Sequence, residues 1–123
     1  MIKPRSIVRI TDNCGAKVGR IFKVLGSSKK RWAEIGELVV LSVQKAEPRK
    51  SIKKKDVLTA VVVRQTKPFR RPDGSYIRFD ENAVVILDKS RKEPVAGRIF
   101  GPIPREIGEK GFQTIASRAP EIV

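Results

Sequence analysis

A succession of short β-type segments, with no long amphipathic helix between any two of them, is the feature that most constrains the fold of this chain. The segments cover residues 6–10, 17–25, 38–46, 57–65, 76–79 and 83–87, and turn-forming residues mark the connections. A parallel α/β sheet needs long crossover connections, usually helices. The pattern therefore predicts a mainly β fold, namely a small closed β-barrel with extra hairpin strands.

The segment 57–65 predicts the central strand of this barrel. Its residues from Val57 to Val63 are mostly apolar at both odd and even positions, so we expect both faces of the strand to be covered. The segment 38–46 differs, because every second residue from Val39 to Val43 is apolar and its neighbours are in part polar, as in a half-buried strand. We expect the interior of the barrel to be filled by Val39, Leu41, Val61, Val63 and Ile86.

The pattern changes after Pro94. Residues 98–100 predict one further strand, which the run Gly101-Pro102-Ile103-Pro104 should end. Residues 105–119 predict one or two short helices that stop at Pro120. We expect a single domain over residues 1–123, with the barrel in 1–100 and a helical C-terminal appendix in 101–123 packed on it.

The excess of basic residues predicts a polyanionic partner. The chain has 27 Lys and Arg against 13 Asp and Glu, a net charge of +14. Several cationic groups lie in predicted connections, where their side chains can reach phosphates. Each cation that neutralises a phosphate releases a counterion, so several loops acting together bind strongly and with steep salt dependence. We predict nucleic-acid contacts for Lys29, Lys30, Arg31, Arg49, Lys50, Lys53, Lys54, Lys55, Arg70 and Arg71.

Arginine and aromatic side chains add a geometric element to this prediction. The planar fork of Arg70 or Arg71 matches phosphate oxygens and can stack on a base, which a lysine ammonium cannot do. Trp32, Phe69 and Tyr76 lie near the basic loops in the sequence. For each of them, packing on the core or its rim and stacking on a nucleobase remain open alternatives.

The sequence gives little support to an enzyme. It contains no histidine, the side chain most often used as general base or metal ligand near neutral pH. The paired acids Asp80 and Glu81 would point apart in a turn, and Glu106 and Glu109 on a short helix would be solvated. We therefore expect no catalytic residue, no metal and no cofactor.

Cys14 is the only cysteine, so it has no partner for an intramolecular disulfide and no second thiol for a zinc site. We expect a small, partly buried side chain beside a turn, in a reducing compartment. The first residues lack the apolar core of a signal peptide, and the longest apolar run, from Ala83 to Leu87, is far shorter than the roughly 20 residues that cross a bilayer. We expect no membrane association.

A long spaced motif extends from the predicted central strand into the next two segments. It reads Ala60-Val61-Val62-Val63, nine residues, Asp73-Gly74, four residues, Phe79, two residues, Asn82, two residues and Val85-Ile86. This motif resembles the signature of the large-subunit ribosomal protein family conventionally numbered fourteen, in its bacterial and organellar form. The resemblance covers essentially the whole chain, since further segments look like family segments in family order: 11–16, 23–26, 55–58, 70–74, 98–102 and 119–121.

The resemblance implies a five-stranded β-barrel with a small C-terminal helical part. It further implies a structural constituent of the large ribosomal subunit, which binds large-subunit rRNA at the intersubunit face and contributes to subunit assembly. The implied partners are that rRNA, neighbouring large-subunit ribosomal proteins, and small-subunit rRNA across an intersubunit bridge. The basic loops would then hold ribosomal RNA phosphates, in a bacterial cytoplasm or in the matrix or stroma of an organelle.

The resemblance also implies a second surface, formed by Arg98, Thr114 and Arg118, that faces proteins or the opposing subunit. A ribosome-silencing factor docks in this region of bacterial and organellar members. The turn before the last motif element differs from the common family pattern, because Glu81 stands where glycine is frequent. This difference indicates a different type of turn.

The residues themselves leave one alternative open, a free-standing basic nucleic-acid chaperone or nucleoid protein on a small β-barrel. Such a protein would share the charge and the fold class with a ribosomal protein. Its sequence would not need the long spacing from Ala60 to Ile86. The spaced motif therefore favours the ribosomal reading.

Overall fold

The computed structural model describes residues 2–26, 32–48, 52–88 and 93–123. Its elements, in chain order, are β1 (Ile7–Ile10), β2 (Ala16–Val24), β3 (Leu38–Ala46), β4 (Val57–Arg64), β5 (Phe69–Arg70), β6 (Tyr76–Ile77), β7 (Ala83–Ile86), β8 (Pro102–Ile103), α1 (Glu106–Glu109), α2 (Gln113–Arg118) and β9 (Glu121–Ile122). The predicted mainly β fold with a small C-terminal helical part is confirmed. Within the described ranges, neither helix is long and apolar enough to span a membrane.

Five of the strands close into a barrel in the order β1-β2-β3-β4-β7. All neighbours pair antiparallel except β7 and β1, whose parallel pairing completes the circle. The pairing of β2 with β3 contains register shifts, and such bulges bend and twist strands so that a sheet can curl. The predicted closed barrel is confirmed, and closure leaves these five strands without a free edge.

Two small sheets of the described residues lie outside the barrel. β5 and β6 form an antiparallel hairpin, and β8 pairs in parallel with β9. The prediction of a strand at residues 98–100 is wrong. In this segment, Ile99 forms only an isolated bridge with Asp12. The strand lies instead at Pro102 and Ile103, where a proline can begin a strand because its missing N–H is not needed at that position.

The two helices are too short to be stable alone, and buried side chains hold them to the rest of the chain. Ile107 of α1 and Ile115 of α2 are both fully buried. Gly111, with a φ of 100°, lies between the helices and permits the left-handed backbone that ends α1. The helices therefore depend on packing against the barrel.

The strand register decides which side chains fill the barrel, because residues directly opposite each other share a face of the sheet. Ala60 lies opposite both Val39 and Ile86, and these three residues, together with Leu41, face the interior. All four are fully buried. The predictions for Val39, Leu41 and Ile86 are confirmed.

The prediction that Val61 fills the barrel interior is wrong. Val61 lies opposite Leu38 and Val85, so it belongs to the outer face of the sheet. It is nevertheless fully buried, in the same cluster of buried residues as the isoleucines of the two helices. Val63 lies within the register shift between Val62 and Arg64, where simple alternation does not apply. β4 is thus covered on both faces, as its sequence predicts.

Candidate nucleic-acid interface

Four lysines line one groove of about 560 Å³ at the start of β4. We call this surface the lysine groove and define it by Lys17, Lys45, Lys53 and Lys54. Lys17 belongs to β2, Lys45 to β3, and the other two to the loop between β3 and β4. All four side chains are exposed. The fold therefore gathers cations from three separate segments into one concave surface.

Hydrogen bonds fix the end of the loop that carries Lys53 and Lys54. The backbone N–H of Lys53 donates to Asp56 Oδ2 at 2.9 Å, and the N–H of Asp56 donates back to the carbonyl of Lys53 at 3.2 Å. Lys55 donates its N–H to the carbonyl of Val43 on β3 at 2.7 Å. Because these hydrogen bonds hold the backbone, the ammonium groups of Lys53 and Lys54 extend from a fixed part of the loop.

Lys17 and Lys45 are missing from the sequence-based prediction, which considered only basic residues in connections. Both occupy outward positions of barrel strands, and Lys45 lies opposite Val18 in the β2–β3 ladder. The sequence did contain a signal for their outward orientation, because Lys17 and Lys45 are basic residues in segments where apolar residues alternate. What the alternation could not show is that the start of β2 and the end of β3 lie beside the Lys53 loop.

Arg70 and Arg71 have different environments although they are adjacent. Arg70 is exposed. Arg71 is 7% exposed; its Nε donates to Glu106 Oε1 at 2.6 Å, and its Nη2 donates to the backbone oxygen of Val123 at 2.7 Å. Arg71 therefore lacks the free guanidinium that a phosphate contact needs. Of the pair, only Arg70 presents one.

This difference predicts that two matched substitutions affect different properties, protein stability in one case and RNA binding in the other. Arg71→Gln should lower the free energy of unfolding by about 2 kcal/mol, because the buried ion pair with Glu106 is lost. Arg70→Gln should change it by less than about 0.5 kcal/mol but weaken RNA binding. Urea unfolding and RNA titration of both variants check the prediction. It fails if Arg70→Gln is the more destabilising change.

The two basic regions flank β4. The Lys53 loop precedes its first residue, Val57, and Arg70 follows its last residue, Arg64, by six positions. At a rise of about 3.3 Å per residue, the strand alone separates the two regions by roughly 25 Å. A bound nucleic acid that contacts both must therefore span the length of this strand.

Five of the predicted contacts, Lys29, Lys30, Arg31, Arg49 and Lys50, lie outside the described residues. Lys53, Lys54 and Lys55 are described and exposed. Of the aromatic candidates, Tyr76 is 67% exposed and Trp32 42% exposed, whereas Phe69 packs partly buried against the core. Exposure leaves a stacking role available to Tyr76 and Trp32.

Thr114 and Arg118 belong to α2, and one hydrogen bond joins this helix to the segment that carries Arg98. Thr114 and Arg118 are four residues apart on α2, on one face of the helix. Arg118 Nη1 donates to the carbonyl of Ala96 at 3.0 Å, which holds α2 against the segment that carries Arg98. The guanidinium of Arg98 lies 5.5 Å from the ring centre of Phe100, within the range of a cation–π contact.

Arg64, at the end of β4, forms the main buried polar cluster of the described chain. Its guanidinium donates to Glu81 Oε1 at 2.8 Å, to Thr11 Oγ1 at 2.7 Å, to the carbonyl of Pro102 at 3.0 Å and to the carbonyl of Phe100. Burial lowers the pKa of Arg64, and the charge of Glu81 opposes that shift. With every group satisfied, this cluster serves structure.

Two neighbours of Arg64 are explained by the cluster. Gly101 has a φ of 81°, and a Cβ there would meet Arg64 Nη2 at 2.5 Å, so no other residue fits without displacing the guanidinium. Glu81, in the turn before β7, pairs with Arg64 and also with Arg9 at 3.1 Å. This turn thus supplies the carboxylate of the cluster.

Cys14 and Asp12 form a second buried polar group in the turn after β1. Asp12 accepts hydrogen bonds from the N–H groups of Cys14 at 3.2 Å and Ile86 at 3.0 Å, which ties the turn to β7. Burial raises the pKa of Asp12. Burial, reinforced by Asp12, also raises the pKa of the Cys14 thiol to about 12. The structure therefore agrees with a buried thiol.

We expect native Cys14 to be alkylated by iodoacetamide at pH 8 at least about tenfold more slowly than in the urea-unfolded chain. The thiolate is the reactive species, and both burial and the raised pKa reduce it. Mass spectrometry of the adduct over time gives both rates. Similar rates in the folded and unfolded chain would contradict the buried, protonated thiol.

The family comparison agrees with the resemblance that the sequence shows. The family model of ribosomal protein L14p/L23e matches residues 1–123. The match covers the barrel, the basic loop before β4, the Arg70 hairpin and both C-terminal helices. The chain therefore belongs to the ribosomal protein L14p/L23e family, whose members are structural proteins of the large ribosomal subunit.

Proposed function

We propose that the chain binds large-subunit rRNA through the lysine groove and Arg70, at the face of the large subunit that meets the small subunit. The observation that carries the proposal is the convergence of Lys17, Lys45 and the Lys53 loop on one groove. Glu47 is the single acidic residue among the described residues that line it. The groove is thus strongly cationic on a fold that belongs to a ribosomal family.

Lysine suits this role because its ammonium group acts as a flexible point charge toward phosphate. Double-stranded RNA is recognised mainly through its shape, its phosphates and its 2′-hydroxyls, since its deep major groove excludes side chains. Phosphate contacts position a protein without reading sequence. The lysine groove would therefore anchor the chain on the RNA backbone, and Arg70, with its planar fork, would add a contact of defined geometry.

The surface that carries Arg98, Thr114 and Arg118 would serve other partners. We infer that it faces neighbouring large-subunit proteins, or small-subunit rRNA across an intersubunit bridge. It is also the surface on which a ribosome-silencing factor would dock. Arg98 and Arg118 are both exposed, which supports contact with an anionic partner. The protein would do this in the ribosomes of a bacterial cytoplasm or of an organelle.

Sedimentation of a tagged copy of the chain through a high-salt sucrose gradient tests the proposal. We expect the protein to travel with large subunits at salt concentrations that strip loosely bound basic proteins. Release into the soluble fraction at modest salt would instead favour a free-standing nucleic-acid chaperone. A parallel gradient with a variant in which glutamine replaces all four lysines of the lysine groove shows whether retention depends on that surface.

A further inference from the structure

The hairpin of β5 and β6 carries Tyr76, the most exposed large apolar side chain among the described residues. Tyr76 is 67% exposed and lies directly opposite Arg70 in the β5–β6 ladder. Residues directly opposite each other share a face of a two-stranded ribbon, with Cβ atoms about 4.5–5.5 Å apart. Arg70 is exposed as well. An aromatic ring and a guanidinium group therefore lie side by side on the solvent face of this hairpin.

Contacts made by other residues of the hairpin hold it on the protein. Phe69 packs against the core. The side chain of Arg71 pairs with Glu106 at 2.6 Å and donates to the backbone oxygen of Val123 at 2.7 Å. The backbone N–H of Arg71 donates to the carbonyl of Ser75 across the turn at 2.8 Å. Because these contacts fix the hairpin, the two exposed side chains extend from a rigid base.

The polar groups of both side chains are uncommitted. Within the part of the chain that the structure describes, the hydroxyl of Tyr76 has no hydrogen-bond partner and the guanidinium of Arg70 has no carboxylate partner. Glu106 lies near Arg70 but is paired with Arg71. The two side chains contact each other as a cross-strand pair, and most of the Tyr76 ring stays in water. Both groups are therefore accessible to a partner.

The chemistry of this pair restricts the partner. An aromatic ring stacks on the face of any nucleobase, and an arginine beside it offers a planar donor fork to a phosphate. The net charge of +14 attracts a polyanion. In a duplex, neighbouring bases cover the base faces, whereas single-stranded bases are free to stack on a protein side chain. The pair therefore fits single-stranded RNA.

We propose that Tyr76 is a base-stacking residue. Its ring covers the face of one base in a single-stranded segment of the bound rRNA, and Arg70 contacts an adjoining phosphate. This inference rests on the proposed function, because the rRNA supplies the segment. Duplexes and single strands both carry phosphates, so the lysine groove by itself does not distinguish them. Stacking on Tyr76 adds that distinction.

A single fluorine label tests the contact directly. Tyr76 is the only tyrosine of the chain, so 3-fluorotyrosine gives the full-length protein one tyrosine ¹⁹F NMR signal. We expect a short oligo(A) to move this signal, because the ring current of a stacked adenine acts on Tyr76. An abasic oligonucleotide of the same length carries the same phosphates without bases and should move it far less. Equal movement with both probes, or none with oligo(A), would overturn the proposal.

Substitutions at Tyr76 separate stacking from ordinary apolar contact. Tyr76→Phe keeps the ring and should change the affinity for oligo(A) by less than about twofold. Tyr76→Leu keeps an apolar side chain without an aromatic face and should weaken oligo(A) binding about fivefold or more. Its affinity for the abasic oligonucleotide should change by less than about twofold. Oligo(A) binding as tight in Tyr76→Leu as in the parent would overturn the proposal.

Phe22→Leu is the matched control. Phe22 is also aromatic and is 50% exposed, but it lies on β2 of the barrel, outside the hairpin. We expect this variant to bind oligo(A) within about twofold of the parent. A loss equal to that in Tyr76→Leu would show that any exposed aromatic contributes alike and would refute a specific stacking site.

Photo-crosslinking identifies the partner within assembled large subunits, from benzoylphenylalanine in place of Tyr76. An adduct with an unpaired rRNA nucleotide supports the proposal, and an adduct with a protein or a paired nucleotide refutes it. The sedimentation experiment keeps the two proposals distinguishable. If the parent chain stays with large subunits while Tyr76→Leu binds oligo(A) normally, only the stacking role fails. Release of the parent chain at modest salt removes the proposed function, and with it the rRNA that this inference requires.

Discussion

Replacing all four lysines of the lysine groove by glutamine is expected to weaken binding to large-subunit rRNA on the order of 100- to 1,000-fold near physiological salt. Each lysine that neutralises a phosphate contributes through counterion release, so the slope of log K against log salt should also fall by about one per lysine. The free energy of unfolding should change by less than about 1 kcal/mol, because the four side chains are exposed. Filter binding across a salt titration measures affinity and slope together.

A control variant of equal charge distinguishes the groove from the overall charge of the protein. Substituting four exposed cations elsewhere lowers the net charge by the same four units from +14. Suitable positions, all exposed, are Lys3, Lys23, Arg78 and Arg105. We expect this control to lose much less affinity than the groove variant. Equal losses and equal slopes for the two variants would show that the groove has no special role.

Replacing Arg64 by methionine is expected to lower the free energy of unfolding by about 3–5 kcal/mol, a large share of the stability of an ordinary domain. Methionine fills part of the volume but donates no hydrogen bond. It would leave the carboxylate of Glu81 with Arg9 as its partner and the carbonyl of Phe100 with the hydroxyl of Thr11, and it would remove the donors that the guanidinium supplies to Thr11 Oγ1 and to the carbonyl of Pro102. The melting temperature should fall by about 10–20 °C.

Arg9→Met is the matched control for Arg64→Met. Arg9 pairs with the same carboxylate, Glu81, but its side chain is 70% exposed, and exposed ion pairs contribute about 0–1 kcal/mol. Differential scanning calorimetry of both variants gives the comparison. A loss in Arg64→Met no larger than that in Arg9→Met would mean that the buried cluster does not stabilise the fold.

The Arg64 cluster also bears on the domain organisation. We propose that residues 1–123 form a single domain, because Arg64 bonds the barrel to residues 100–102, where the C-terminal appendix begins. Unfolding followed by Trp32 fluorescence and by far-ultraviolet circular dichroism should then give coincident transitions. Separate transitions would instead indicate that the C-terminal part melts independently of the barrel.

The positions of the five barrel strands could be predicted closely, because the patterns that predict them are local. The bounds of β3 match the prediction residue for residue, because period-two alternation is written directly into residues 38–46. The faces of β4 could not be assigned in the same way. All of its central residues are apolar, so no alternation of polar and apolar residues distinguishes Val61, on the outer face, from Val62, on the inner face. Only the pairing partners of each residue resolve it.

The basic surface shows the same division. Exposed lysines in the loop before β4 could be predicted from composition alone, since a run of charges cannot be buried without partners. The different environments of Arg70 and Arg71 could not, because the buried partner of Arg71 is Glu106, 35 residues away along the chain. Lys17 and Lys45 likewise join the groove only because β2 and β3 pair along their whole length.

The sequence by itself determined the strand pattern, the excess of positive charge and the spaced motif that indicates the family, because each of these follows from residue types and their positions along the chain. Only the tertiary structure decided which charges are available. The hydrogen-bond partners of Arg64 lie 17 to 53 residues away along the chain. Arg71 forms a buried ion pair and is not available to a phosphate. Four lysines from three segments line one groove. Electrostatic interactions and burial depend on distances in space. Barrel closure and strand register set these distances, and the local sequence does not contain them.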